Sequence, residues 1–493
     1  MSNKVDNGKV GEDVKEQAYR ICQEFLGSPW QDITKSKFEI SVISGGNSNA
    51  VYRCSLSEDV AVEDPKTPSS VLFRIYGCFQ EDKNVVVSEA ATFMLLAERG
   101  LGPKLYGIFP TGRLEEYIPS RNLNSVDFRS MSTAIAREMA KIHALEVPVR
   151  KVGDFWHKHM KNGGNSNAVY RCSLSEDVAV EDPKTPSSVL FRIYGCFQED
   201  KNVVVSEAAT FMLLAERGLG PKLYGIFPTG RLEEYIPSRN LNSADFRSLS
   251  TAIAREMAKI HALEVPVRKV GDFWHKHMKN WLNYVEINKA LRPKESFECI
   301  DMYKEEIDWL SEEIKKFNSP VVYCHNDLQG GNILLRQNPS SEDAPRIILI
   351  DFEYGAYNYR GFDLANQFCE WCFEYETENF PYFTWEFEKF PSVEEQTVFI
   401  RAYLNQQVEE GIIERSAIVP EVDKILEEVQ FFSLACNIMW SLWSVQMSFK
   451  VNEDFALLHM EHTKLRTKAY WQFKEKYLNS RAINGNAESS SRL

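Results

Sequence analysis

A segment of 118 residues occurs twice in succession in this 493-residue chain: 45–162 and 163–280 align without a gap, differing only at Val126 against Ala244 and Met131 against Leu249. Solenoid repeats are units of about 20–50 residues that have diverged around a consensus, so a unit this long and this unchanged is not a solenoid. Nor does it begin and end where a domain would. The first copy follows "KFEISVIS", an alternating stretch expected to be a strand that leads into a glycine-rich loop. The second copy follows "DFWHKHMKN", which does not read as a strand, yet it runs without a break into "WLNYVEINKAL". Each copy thus has one natural neighbour and one foreign one, as if a unit of 375 residues had an internal segment written twice. Duplicate exons both retained, or a segment entered twice in the assembled gene, would each produce that pattern.

Within a copy the expected order is strand ("AVYRCSL"), acidic loop, strand ("VLFRIYG"), helix ("VVVSEAATFMLLAERG"), then two short strands in "LGPKLYGIFPTGRLEEYIP". That is a small mixed sheet with one helix packed on it, the helix stopped by Gly100 or Gly218 in a left-handed turn. A second helix follows, with Leu249, Ile253, Met257 and Ile260 on one face. The expected domains are a polar segment and helix at 1–37, a small lobe at 38–162, its duplicate at 163–280, a helix-rich lobe at 281–480 and a disordered tail at 481–493.

The composition, 44% hydrophobic and 26% charged, is that of a soluble globular protein. A formal charge of −13 argues against nucleic acid or an anionic membrane as partner and admits a cationic small molecule. No stretch reads as a signal peptide or approaches the roughly 18 apolar residues of a membrane span, so no transmembrane segment and a cytoplasmic location are expected. Cys369 and Cys372 form a Cys-x-x-Cys with no second pair to complete a zinc site, and read as reduced core thiols.

Chemistry concentrates in "VVYCHNDLQGGNILL" and "RIILIDFEYGAYNYRGFDLANQFCEW". Phosphoryl transfer to a hydroxyl uses an Asp to accept its proton, an Asn five residues on to hold magnesium, and a later Asp at a strand end to hold magnesium on the phosphates. Asp327, Asn332 and Asp351 have that order and spacing. The apolar runs "NILLRQ" and "RIILIDF", joined by "NPSSEDAP", would pair and bring Asp351 beside Asn332. The loop Gly45, Gly46, Asn47, Ser48 and Asn49, or its duplicate Gly163, Gly164, Asn165, Ser166 and Asn167, would cover phosphates with backbone N–H groups, although such a turn is also an ordinary hairpin. Arg74 or Arg192, paired with the helix residue Glu89 or Glu207, would clamp the phosphates.

The segments "CHNDLQGGNILL", "LIDFEYGAYNYRGFDLANQFCEW", "LGPKLYGIFPTGRLEEYIPSR" and "VLFRIYG" resemble the choline/ethanolamine kinase family, and the Gln of "HNDLQ" is more similar to its choline kinases. The resemblance spans about residues 38 to 480 once one copy is removed. It implies an α+β, protein-kinase-like two-lobed fold, with a small mixed-sheet N-lobe, here duplicated in part, and a larger helix-rich C-lobe. The implied activity is transfer of the γ-phosphate of MgATP to choline, giving phosphocholine for phosphatidylcholine synthesis by the CDP-choline route. ATP and Mg2+ are the implied cofactors, with Asn332 and Asp351 as metal ligands, and a homodimer is implied as in the family. The nucleotide would sit against Glu116, Tyr117, Ile118 and Arg121, or Glu234, Tyr235, Ile236 and Arg239, with Gln329 close to the phosphates.

A quaternary ammonium has no N–H to donate and is bound by aromatic faces. Candidates are Trp440 and Trp443, three apart on one helical face, with Tyr354, Tyr375 and Phe455, and with Glu370 as a balancing charge. Five residues beyond Phe455, where choline kinases tend to carry a further tyrosine, stands Met460. An ethanolamine kinase, another small-molecule phosphotransferase such as one acting on an aminoglycoside, or a nucleotide-binding scaffold disabled by the duplication are the alternatives. Copy two is favoured as the working copy because it leads directly into the catalytic lobe, with strand 38–44 recruited to it or left to copy one.

Overall fold

The computed structural model of the chain describes residues 10–45, 49–76, 83–120, 131–145, 157–159, 167–174, 185–194, 201–227, 230–289, 300–337, 346–375, 377–451 and 453–490. Two compact units emerge: Met1–Pro237 with Glu264–Lys269, and Ser238–Leu263 with Val270–Leu493. Among the described residues no helix is long and apolar enough to cross a membrane.

The first unit opens with α1 (Glu12–Phe25) and a five-stranded sheet, β1 (Phe38–Gly45), β2 (Asn49–Leu56), β3 (Ser70–Tyr76), β4 (Leu105–Phe109) and β5 (Gly112–Glu116), with α2 (Lys83–Glu98) between β3 and β4. The strand order is β1-β2-β3-β5-β4. Every ladder is antiparallel, not mixed as expected, because β5 inserts between β3 and β4, the two strands that the helical crossover would otherwise have made parallel neighbours. Alternation fixes the buried face: Val71 and Phe73 of β3 join Phe38, Tyr52, Cys54 and Leu114 beneath Ala18, Ile21, Cys22 and Phe25 of α1. The strand 38–44 therefore stays with copy one.

After α3 (Ser132–His143) comes β6 (His157–His159), still within copy one, and the second copy repeats the sheet on it as β7 (Asn167–Ser173), β8 (Ser188–Tyr194), β9 (Leu223–Phe227) and β10 (Gly230–Glu234), with α4 (Lys201–Glu216). The strand β6 overturns one expectation, for it lies in "DFWHKHMKN" and pairs with β7 from His157 opposite Ser173 to His159 opposite Arg171. Copy two lacks the natural first strand, and the open edge of β7 takes the chain that arrives there. The helices α2 and α4 pack together with reciprocal ion pairs, Arg99 to Glu216 at 2.5 Å and Arg217 to Glu98 at 2.6 Å, the pattern of a self-complementary interface. Both helices end in the left-handed turn expected of Gly100 (φ +65°) and Gly218 (φ +68°).

The second unit begins with β11 (Ser238–Asn240) and α5 (Ser243–His261), whose first turn carries a reciprocal cap between Asn242 and Asp245. There follow α6 (Phe273–Asn288), α7 (Ile300–Glu313), β12 (Val321–Cys324), β13 (Ile333–Arg336), β14 (Ile347–Leu349), β15 (Ala356–Tyr359), α8 (Arg360–Glu370), β16 (Phe373–Tyr375), β17 (Phe383–Trp385), α9 (Val393–Glu409), α10 (Ile418–Ser448) and α11 (Glu453–Ser490). The last helix continues to Ser490, past residue 481 where a tail is expected to begin; 491–493 lie outside the described residues. Helix α10 is buried without a break from Phe431 to Leu442 and forms the axis of the core, as an all-round apolar helix must.

Identical sequences meet opposite fates. In copy two, Ile253, Ala254, Met257, Ala258 and Ile260 of α5 are buried, whereas α3 of copy one leaves Met139 and Ile142 at 50% and 43% exposure. Likewise "FWHKH" contributes a strand at 157–159 and opens helix α6 at 273–277. In α6 the following Trp281, Leu282 and Val285 extend an apolar helical face; in copy one the chain runs into glycines instead. Truncating Met257 to Ala should cost about 2–5 kcal/mol in thermal or urea unfolding, and Met139 to Ala should cost next to nothing. Equal losses would mean that copy one's helix is also packed.

Candidate active site

Two ladders deliver the site. Strand β12 pairs with β15, Cys324 opposite Ala356, and β13 pairs with β14, Ile333 opposite Leu349. Ile350 N donates to Asn332 O at 3.0 Å, so Asp351 leaves β14 directly beside Asn332. The Asn332 side chain donates from Nδ2 to Asp327 O (2.8 Å) and Asp327 Oδ2 (3.0 Å), which joins the three residues in one cluster. The turn between them needs Gly330, because a Cβ there would meet Leu241 O at 2.4 Å. Gln329 stands immediately before that turn, half-buried.

Beneath the loop lies Asp363 of α8, which sequence reasoning missed. Its Oδ2 accepts from His325 N (2.9 Å), its Oδ1 from Asn326 N (2.7 Å), and His261 Nε2 lies 3.0 Å from Oδ2. The Tyr403 hydroxyl is 2.9 Å from His261 Nδ1. Burial raises the Asp363 carboxyl, but His261, His325 and the backbone N–H outweigh it and hold the group below the usual carboxylate range. Asn326 takes a left-handed backbone (φ +67°), as does Asp351 (φ +64°). Asn326 is fixed there by Nδ2 donating to Tyr354 O (2.9 Å) and Oδ1 accepting from Asn358 (2.8 Å). His261, Cys324 and Asp363 come within metal-binding distance of one another. Each of the three already has hydrogen-bond partners, Asp363 with His325 N, Asn326 N and His261, and Cys324 Sγ with the Asn358 carbonyl at 3.6 Å, so the group is knitted into a hydrogen-bonded hub.

Burial drives the Asp327 carboxyl well above its ordinary range, reinforced by Glu370, Glu353 and Asp351 and opposed by Arg466. These carboxylates adjoin an aromatic wall through Tyr354, whose hydroxyl burial raises well above its ordinary range, with Glu353 and Asp327 reinforcing the shift. Tyr354 meets Trp440 edge-on at 5.3 Å, Trp440 meets Trp443 at 5.8 Å, and Trp443 Nε1 donates to the Tyr354 hydroxyl at 2.9 Å. The Tyr375 hydroxyl donates to Glu370 Oε2 at 2.9 Å, and Arg466 donates to Glu370 Oε1 at 2.5 Å. Five of the six residues expected to form a cage thus belong to two bonded groups; the sixth, Phe455, is 55% exposed on α11. Arg466 was missed because nothing local marks a cation on a charged helix as buried.

In the first unit the expected pairing of Arg74 with Glu89 is corrected. Arg74 bonds Glu115 (2.6 Å), and Arg113 bridges Glu115 (3.3 Å) and Glu89 (2.5 Å), a relay across β3, β5 and α2. Arg74 and Arg113 are cross-strand partners, so the glutamate between them is the nearer counter-charge. Copy two repeats the relay through Arg192, Glu233, Arg231 and Glu207. Burial raises the Glu233 carboxyl, but its two arginines hold it below the usual range. Gly45 and Asn49 end β1 and open β2, and Asn167 opens β7, whereas residues 46–48, Arg121 and 163–166 lie outside the described residues. Glu116 and Glu234 accept from Lys104 N and Lys222 N, and Tyr117 and Tyr235 lie under Arg53 and Arg171. Ile118 is exposed and Ile236 buried. Arg239, in the second unit, is spent on a bidentate pair with Asp245 (2.6 and 2.8 Å).

Comparison with known proteins gives the same reading from outside the geometry. A sequence model of the family described as choline/ethanolamine kinase matches residues 40–162 and, separately, 159–471. Relatives include choline/ethanolamine kinase of Rattus norvegicus, 37% identical over 318 residues, 64% of this chain and 79% of the relative. Choline kinase alpha of Mus musculus is 35% identical over 350 residues, 66% of this chain and 76% of the relative. Among solved structures, a choline kinase from Cryptosporidium parvum matches with a TM-score of 0.55 at 26% identity, over 71% of this chain and 98% of that one. The fold is accordingly protein-kinase-like, with a small antiparallel sheet and a helical lobe.

Two outcomes follow from the hub and the wall. Asp363→Ala strands two backbone donors and His261, and should cost about 3–5 kcal/mol in urea unfolding; a cost below about 1 kcal/mol would contradict the hub. His277 sits among Phe273, Trp281 and Tyr354, and burial lowers its pKa to about 4. The unfolded imidazole protonates near 6.5, so between these values the unfolded state binds more protons and stability is lost as the pH drops from about 6.5 through 4, by about 3 kcal/mol in all. Stability measured from pH 7 to 4 should show His277→Gln losing that share of the slope; an unchanged slope would refute it.

Proposed function

The chain belongs to the choline/ethanolamine kinase family, and on that premise we propose that it transfers the γ-phosphate of MgATP to the hydroxyl of choline, giving phosphocholine for the CDP-choline route to phosphatidylcholine. The observation that carries this reading is the Asp327 carboxylate set beside the Tyr354–Trp440–Trp443 wall. Aromatic faces attract a cation that cannot donate hydrogen bonds, and Glu353, Asp327 and Asp351, the carboxylates that act on Tyr354 of the wall, supply the balancing charge.

Asn332 holds the Asp327 carboxylate from one side, which leaves the other oxygen for the choline hydroxyl. That oxygen takes the hydroxyl proton as the choline oxygen bonds to the γ-phosphorus and the bond to the β-phosphate oxygen breaks, releasing ADP. The wall fixes the ammonium end, so that the hydroxyl is presented to Asp327 rather than to water. Magnesium fits the donors: the amide nitrogen of Asn332 is spent on Asp327, leaving its side-chain oxygen, and Asp351 adds a carboxylate. When bound, the ion would neutralise phosphate charge. Gln329, immediately before the Gly330 turn, would meet the nucleotide phosphates; of the two duplicate nucleotide sets, the copy-two set is the one whose chain runs on into β11 and α5 of the second unit. The homodimer implied by the family belongs to the same reading and is accessible to light scattering.

Asp327→Asn should lower phosphocholine formation by about 100-fold or more while ATP binding, followed by a fluorescent analogue, persists. Retained turnover would remove Asp327 from the chemistry.

A further inference from the structure

A cation lies buried where a cationic substrate is expected. Arg466 on α11 is 2% exposed. Its guanidinium stacks on Phe373 (3.9 Å to the ring centroid), with Nη2 donating to Glu370 Oε1 at 2.5 Å and 3.3 Å from the Tyr375 hydroxyl, and Nε 3.3 Å from His462 Nε2. Glu370 is 3% exposed, and its second oxygen accepts from Tyr375. The pair is electrically neutral, so Glu370 adds no net charge for an ammonium to seek. What it adds is a fixed wall whose carboxylate oxygens are both engaged.

That arrangement treats two kinds of ammonium differently. A primary ammonium brings three N–H donors, each costly to bury without an acceptor; a quaternary one brings none. We propose that Arg466 is a specificity-determining positioning residue: by clamping Glu370, and Tyr375 through it, Arg466 withholds acceptor oxygens from the substrate nitrogen and so favours a fully substituted ammonium over a primary one. The inference rests on the acceptor site proposed above.

The test is kcat and KM for choline and for ethanolamine, on the full chain, in wild type, Arg466→Lys, Arg466→Met, Glu370→Gln and the double variant Arg466→Met with Glu370→Gln. Arg466→Met should lower the ratio of kcat/KM for choline to that for ethanolamine by about tenfold or more, mostly through KM, with KM for ATP unchanged. Arg466→Lys keeps the charge but loses the fork, and should fall between. In the Glu370→Gln background, Arg466→Met should move the ratio by less than about twofold, because the residue acts through Glu370. An unchanged ratio, equal losses for both acceptors, or the same shift without Glu370 would overturn the inference. Should Arg466→Met fail to fold, Arg466→Lys and the double variant, which removes the buried pair as a whole, carry the comparison. A wild type that prefers ethanolamine sinks the role of Arg466 and leaves phosphotransfer standing; one that phosphorylates neither sinks both.

Discussion

The buried carboxylate of Asp363 is the point on which the second unit is organised. An unpaired charge in the interior is prohibitively costly, so a buried carboxylate dictates where its donors must be. Here they are the backbone N–H groups of His325 and Asn326 and the ring of His261, itself bonded to Tyr403. One side chain thereby ties α8 to the loop after β12, to α5 and to α9. With two successive amides held, Asn326 turns left-handed and the next residue, Asp327, leaves the loop into the space shared with Asn332 and the aromatic wall.

The same hub bears on the duplication. His261 comes from copy two, and the identical residue of copy one is His143. Only one carboxylate at position 363 exists to receive either. Copy one keeps what lies on its N-terminal side, α1 and β1, and completes a full sheet over its own core. Copy two keeps what lies on its C-terminal side and makes do with a three-residue first strand. Copy two's foreign end is met by that short pairing, and the two copies meet through α2 and α4, whose outer surfaces match because they are the same surface.

Much of this was legible from residue order. The strand, helix and hairpin sequence within a copy, the glycine stops, and the order Asp327, Asn332, Asp351 all depend on neighbours within a few turns or one ladder, which pattern and turn chemistry report. The missed features depend on distant partners. Arg74 was given to Glu89 by analogy, but the strand register of β3 and β5 sets Glu115 and Arg113 between them. Asp363 and Arg466 look like surface charges on their helices until His261 and Glu370, about a hundred residues away in sequence, arrive beside them. "DFWHKHMKN" shows the limit most plainly: one sequence, a strand in one place and a helix in the other, decided by what each can pack against.

The claim that the hub selects copy two is tested most directly by one matched pair of substitutions, His143→Ala and His261→Ala, each assayed for choline phosphorylation. The account predicts that His261→Ala loses about 100-fold in turnover as the catalytic loop shifts, and that His143→Ala is indistinguishable from wild type. Equal losses in the two variants, or a loss confined to His143→Ala, would contradict it.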